Sequence, residues 1–114
     1  MMSWIDARVP VRFGALGDAT EGDALLLEGE MVAPPGFPSA HFVRTASEHP
    51  AGCACCLPRS AASLALNELF QARARGAVPF FRRVLAVTPS AEGEMELWAA
   101  VQGDPIVSGR FRIE

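Results

Sequence analysis

Arg83-Val84-Leu85-Ala86-Val87, closed by Thr88-Pro89-Ser90, is the stretch on which the fold turns. A continuous apolar run of this length is too short for a helix, and it ends at a proline. It reads as a strand buried on both faces, as parallel sheets require. A helix is expected on each side of it. Upstream, Ser60 to Arg75 has a serine in the N-cap position and Gly76 where a C-cap glycine belongs. Leu66, Leu69, Phe70 and Arg73 recur at helical spacing, which gives that helix a core-facing stripe. Downstream, a second helix should begin after Ser90, run to Gln102 and bury Met95, Trp98 and Val101 before Gly103-Asp104-Pro105 ends it.

Further strands are expected on either side of this unit. Val9-Pro10-Val11-Arg12-Phe13 reads as a first strand with a proline near its start. Asp23 to Glu28 reads as a second, closed by Gly29. His41-Phe42-Val43-Arg44 reads as a brief third, after the loop-forming Pro34-Pro35-Gly36-Phe37-Pro38. Arg110-Phe111-Arg112-Ile113 alternates and reads as a last edge strand. Strand and helix alternation of this kind implies an α/β layer fold with a short, partly parallel sheet and two main helices.

The chain has 114 residues, half of them apolar, which suits one compact unit. Its net charge is −3 and all ten basic residues are arginine. A negative balance argues against nucleic acid as a partner, because phosphate backbones demand clustered cations. Arg73, Arg75, Arg82 and Arg83 read as a solvated basic patch, and Asp18, Glu21 and Asp23 as a solvent-facing acidic loop without calcium-loop spacing. The opening residues lack a basic segment followed by an apolar one, and no apolar stretch is long enough to span a bilayer. The expectation is a cytoplasmic protein with no membrane contact.

Gly52-Cys53-Ala54-Cys55-Cys56 places all three cysteines within four positions. An odd, tightly clustered set cannot form an internal disulfide framework, and neighbouring cysteines bridge only under strain. Three chemistries stay open: small buried hydrophobes, a redox-active thiol, or soft ligands for zinc or another thiophilic metal. Zinc favours four tetrahedral ligands. His49 is the nearest candidate for the fourth; His41, Glu28 and Glu48 are weaker ones. The cluster also precedes the long helix, whose positive end favours thiolate.

The run Gly52-Cys53-Ala54-Cys55-Cys56-Leu57-Pro58-Arg59, followed by an Ala/Leu-rich helix, resembles the CobW family of metal-linked P-loop GTPases. The likeness is collinear over 52–114: Arg82 to Val87 is similar to the family's next strand, and Asp104-Pro105 and Arg110-Phe111-Arg112-Ile113-Glu114 resemble the motifs that close the following helix. The resemblance implies that Cys53, Cys55 and Cys56 hold a transition metal, commonly zinc, within a small, partial P-loop-NTPase-like fold. Leu27-Glu28-Gly29-Glu30 resembles the family's Asn-Glu-Phe-Gly, which would make Glu28 a further ligand. Residues 1–51 are divergent, and 1–114 is expected to be one shortened CobW-like domain.

The departures from the family bear on nucleotide. A P-loop needs a lysine to reach the β- and γ-phosphates, and this chain has none. Gly14-Ala15-Leu16-Gly17-Asp18-Ala19-Thr20 is glycine-rich, but Asp18 would repel phosphate and Glu28 follows too soon for an intervening helix. The family's Glu-Thr-Ser/Thr-Gly is here Val87-Thr88-Pro89-Ser90. The expectation is therefore a non-enzymatic zinc protein that binds no nucleotide and buffers, senses or delivers metal. Its partner would be the metal alone, a full-length CobW-family GTPase, or a second copy of the chain. The alternative is a redox protein using a low-pKa cysteine of the cluster.

Overall fold

The computed structural model describes residues 6–43 and 60–114. Five strands form one sheet: β1 (Val9–Phe13), β2 (Asp23–Glu28), β3 (Ser39–Phe42), β4 (Arg83–Val87) and β5 (Phe111–Ile113). Their order is β3-β2-β4-β1-β5, and every pairing is parallel. β4 lies in the middle, paired with β2 from Asp23↔Arg83 to Leu27↔Val87 and with β1 from Val11↔Val84 to Phe13↔Ala86. The continuous apolar run is thus a central strand. The α/β class with a parallel sheet and two main helices holds.

The helices are α1 (Ala61–Ala74), α2 (Ala91–Gly103) and α3 (Pro105–Arg110). They cover one face of the sheet, with Val9, Val11, Ala24, Leu26, Phe42, Val84, Ala86 and Phe111 pointing into them. Leu25, Leu27, Leu85 and Val87 point to the other face, where Leu16, Ala19, Met31, Ala33 and Phe37 from the connecting segments cover them. Crossover handedness accounts for this division. The steps β1 to β2 and β2 to β3 run toward one edge, the steps β3 to β4 and β4 to β5 toward the other. Right-handed crossovers in opposite directions must use opposite faces. β1 and β2 are linked by a single 3₁₀ turn, Leu16–Asp18, with no helix.

Both caps of α1 are as expected. Ser60 Oγ accepts from Ser63 N at 3.1 Å. At the other end Gly76 has φ +72°, Ala77 N donates to the Ala72 carbonyl and Gly76 N to the Arg73 carbonyl, the paired bonds of a Schellman close.

Several expectations need correction. The third strand is Ser39–Phe42, two residues earlier than expected. α2 buries Gly93, Leu97, Ala100 and Val101, whereas Met95 is 70% exposed and Trp98 39% exposed. The helix is rotated so that Gly93 faces β2, which turns Met95 outward. Trp98 lies at the margin and stacks on Phe13, ring centroids 5.9 Å apart. α3 was not expected. Asp104 ends one helix and starts the next, its Oδ1 accepting from Ile106 N and Val107 N with Pro105 in the first turn.

Two charged residues thought to face solvent do not. Asp23 is buried, with Oδ1 accepting from Arg83 Nε at 2.9 Å and Oδ2 from Thr20 N and Thr20 Oγ. Arg73, half-buried, donates to the Phe81 carbonyl at 2.9 Å. Its guanidinium lies 5.3, 4.5 and 5.1 Å from the ring centroids of Phe70, Phe80 and Phe81. Of the four arginines read as a solvated patch, Arg73 is thus held among aromatic rings, while Arg75 and Arg82 are exposed.

Candidate functional site

Open parallel sheets bind ligands outside the carboxyl ends of their strands, where neighbouring connections leave to opposite faces. Here that crevice flanks β4, which leads into α2 on the helical face while β1 and β2 connect across the other. Its walls are the ends of β1 and β2, the Thr88-Pro89-Ser90 turn and the amino ends of the helices.

Glu28, the last residue of β2, reaches across the crevice. One carboxylate oxygen accepts from Ser90 N at 3.1 Å and the other from the Ser90 hydroxyl. Ser90 Oγ in turn accepts from Gly93 N at 2.9 Å, so a carboxylate and a serine close the amino end of α2 together. Gly93 is required by this arrangement, because a Cβ there would collide with the Glu28 carboxylate. The amino end of α1 is treated alike: Ala62 N donates to Glu96 Oε2, from α2, at 3.0 Å.

The electrostatic consequence is plain. A free helix amino end binds anions because its N–H groups and dipole are unsatisfied. Both long helices spend that capacity on carboxylates of this chain. The glycine-rich 14–20 turn does the same, since Asp18 Oδ2 accepts from Ala15 N at 2.9 Å.

Of the residues singled out from sequence, Glu28 lies in this crevice. Cys53, Cys55, Cys56, His49 and Glu48 lie outside the described residues. The stretch that carries them leaves after Val43, past the end of β3, and returns at Ser60, the N-cap of α1. His41 does not join Glu28. It alternates onto the face opposite the helices, is exposed, and its Nε2 lies 2.6 Å from the Met31 carbonyl. Among the described residues no cluster of three or more His, Cys, Asp or Glu is placed to hold a metal ion, and no helix is long and apolar enough to cross a membrane.

Sequence reasoning missed Ser90, Gly93 and Glu96 as parts of the crevice. The one signal was the position of Ser90 as an N-cap; its carboxylate partner is 62 residues away. The chain matches no protein-family model, no curated protein and no solved structure.

The Glu28–Gly93 contact makes a prediction with a change of sign. Gly93→Ala should gain up to about 1 kcal/mol in helix preference but expel Glu28, whose charge-assisted bonds contribute about 1.5–3 kcal/mol. The net effect should be destabilising. In a Glu28→Ala background the same substitution should stabilise. Urea midpoints of the four proteins measure the cycle; equal effects in both backgrounds would mean that the side chains do not touch.

Proposed function

We propose that this chain binds a thiophilic transition metal, zinc foremost, through Cys53, Cys55 and Cys56, as a cargo or signal and not as part of a nucleotide-driven enzyme. The observation that carries the reading is the spacing itself: three thiols within four positions, on the stretch that joins the carboxyl end of β3 to the start of α1. Thiolates are soft ligands suited to zinc. His49 is the proposed fourth ligand. Glu28 is a second candidate, and to ligate it would have to share or release the carboxylate that now closes α2.

The case against nucleotide draws on chemistry of a different kind. No lysine is available to a phosphate, and the helix amino ends and the 14–20 turn already hold carboxylates. A degenerate kinship with CobW proteins is part of the proposal. It is supported by the Cys-x-Cys-Cys motif and the collinear order after it, without a family match. Buffering, sensing or handing on zinc, alone or to a full-length GTPase relative, are the roles this chemistry allows in a cytoplasmic setting.

The redox alternative is weaker for a stated reason. The positive end of a nearby helix is one means of lowering a cysteine's pKa. Glu96 offsets that end of α1. A bound metal deprotonates thiols without such help.

Zinc titration of the purified chain, followed by competition with a chromophoric chelator, tests the proposal. The native chain should take up about one equivalent, and a variant with Cys53, Cys55 and Cys56 all changed to Ser should take up none. Equal uptake by the two proteins would refute the assignment. Rapid alkylation of a zinc-free thiol at neutral pH, unchanged by added zinc, would favour the redox reading.

A further inference from the structure

At the amino end of the sheet, opposite the crevice, the arginines fall into two groups. Arg83, at the start of β4, is paired with Asp23, and Arg8, just before β1, with Asp6. Arg73, Arg75, Arg82 and Arg110 have no ion-pair partner among the described residues. Two of these share a ring: the guanidinium groups of Arg73 and Arg110 lie 5.3 and 4.5 Å from the centroid of Phe70. Cations held so near one another repel, and no described carboxylate pairs with either. Arg73 also lies 4.5 Å from the centroid of Phe80. That ring is 70% exposed and lines a cleft of about 440 Å³ together with Phe37, Pro38 and Pro79. Phe80 thus joins an apolar cleft to an uncompensated cationic cluster.

We propose that this surface docks an acidic peptide segment of a partner protein, with an apolar side chain entering the cleft beside Phe80 and flanking carboxylates meeting Arg73, Arg75 and Arg110. Charge complementarity selects such a guest. A neutral or cationic segment would leave the repulsion between Arg73 and Arg110 in place. Arg73 spends one donor of its guanidinium on the Phe81 carbonyl, so others can still take a carboxylate. Glu21, exposed on the cleft wall, sets the direction: it repels carboxylates there and leaves that wall to the apolar part of the segment. The net charge of −3 opposes a long polyanion such as nucleic acid, whereas a short acidic segment meets only the local cations. Helix carboxyl ends favour cations on their own account, and Arg73, Arg75 and Arg110 close α1 and α3. The dipoles explain the positions of the arginines; they give no role to the open ring of Phe80 beside them. This inference is independent of the metal proposal and uses none of its residues.

The probe is a fluorescein-labelled peptide, Glu-Glu-Leu-Phe-Glu-Glu, titrated with the full chain and read by fluorescence anisotropy. The same peptide with Gln for every Glu should bind several-fold more weakly, and so should one with Ala in place of Leu and Phe. Arg75→Glu combined with Arg110→Glu should weaken the acidic peptide by about 10-fold or more, and Phe80→Ala by about 3- to 10-fold. Glu21→Gln should tighten binding by about 2-fold, a gain that loss of folding cannot mimic. Equal binding of the Glu and Gln peptides, indifference to the paired arginine reversals, or no anisotropy change at millimolar chain would overturn the proposal and leave the arginines to the helix ends alone. Tighter binding of an oligothymidylate of equal charge would overturn it in favour of single-stranded nucleic acid.

Discussion

Replacing Arg83 with Met is expected to destabilise the protein by about 2–4 kcal/mol and to reverse the pH dependence that Asp23 contributes. The carboxylate of Asp23 is 1% exposed and the Arg83 side chain 27% exposed. Removing one partner of a buried pair leaves a charge without compensation, about 3–5 kcal/mol when both are fully buried. Solvent around Arg83 screens part of that, which lowers the figure. Asp23→Asn should cost less, because an unpaired Arg83 can swing into water whereas an unpaired Asp23 cannot.

The sign of the pH effect follows from the competing influences on Asp23. Burial pushes its carboxyl upward, but hydrogen bonds from Arg83, Thr20 N and Thr20 Oγ outweigh burial and hold it below the ordinary value. A depressed native pKa gives stability that is present above the unfolded value of about 3.9 and is lost as pH falls through the native value. In Arg83→Met, burial dominates and the native pKa rises, so that contribution instead declines as pH climbs above about 4. The stability gap between native and variant chains should therefore narrow steadily from pH 7 to pH 3. Denaturant melts across that range measure it, and a constant gap would show that Asp23 is not held by Arg83.

Phe81→Ala should cost about 3–5 kcal/mol, and its neighbour Phe80→Ala less than about 1 kcal/mol. The two residues are adjacent and chemically identical. Phe81 is 1% exposed and packs under α1, so truncation opens a cavity in the core. It also removes one ring from the group around the Arg73 guanidinium, whose pKa burial lowers. Phe80 loses a single cation–ring contact at an exposed site. Arg73→Met should fall between them, since the methionine stem keeps the packing but not the bond to the Phe81 carbonyl. Urea midpoints of the three variants give the ranking, and comparable losses for Phe80 and Phe81 would contradict this account of the aromatic cluster.

Much of the fold was legible because its signals are local. Ser60 and Gly76 bracket α1 through bonds to residues three to five positions away. The run Arg83–Val87 announces a central strand because a strand covered on both faces has no polar side to show. α3 was overlooked because Asp104 serves two helices, and a turn signal can be read as an end only. The rotation of α2 was unreadable, since Met95 and Trp98 are as apolar as Leu97 and Val101. Their burial depends on which side of the helix the sheet meets.

The metal proposal rests on the sequence, on three cysteines within four positions. Residue order alone also set the strand–helix alternation and the lack of a phosphate-binding lysine, since both depend on neighbours along the chain. Only the tertiary structure could bring Glu28 to Ser90, Glu96 to Ala62 and Asp23 to Arg83, and gather the rings of Phe37, Phe80 and Phe81 around one cleft. Those pairings span 34 to 62 residues. They arise because parallel strands align distant residues side by side, and a carboxylate left in the interior is stable only where a donor meets it.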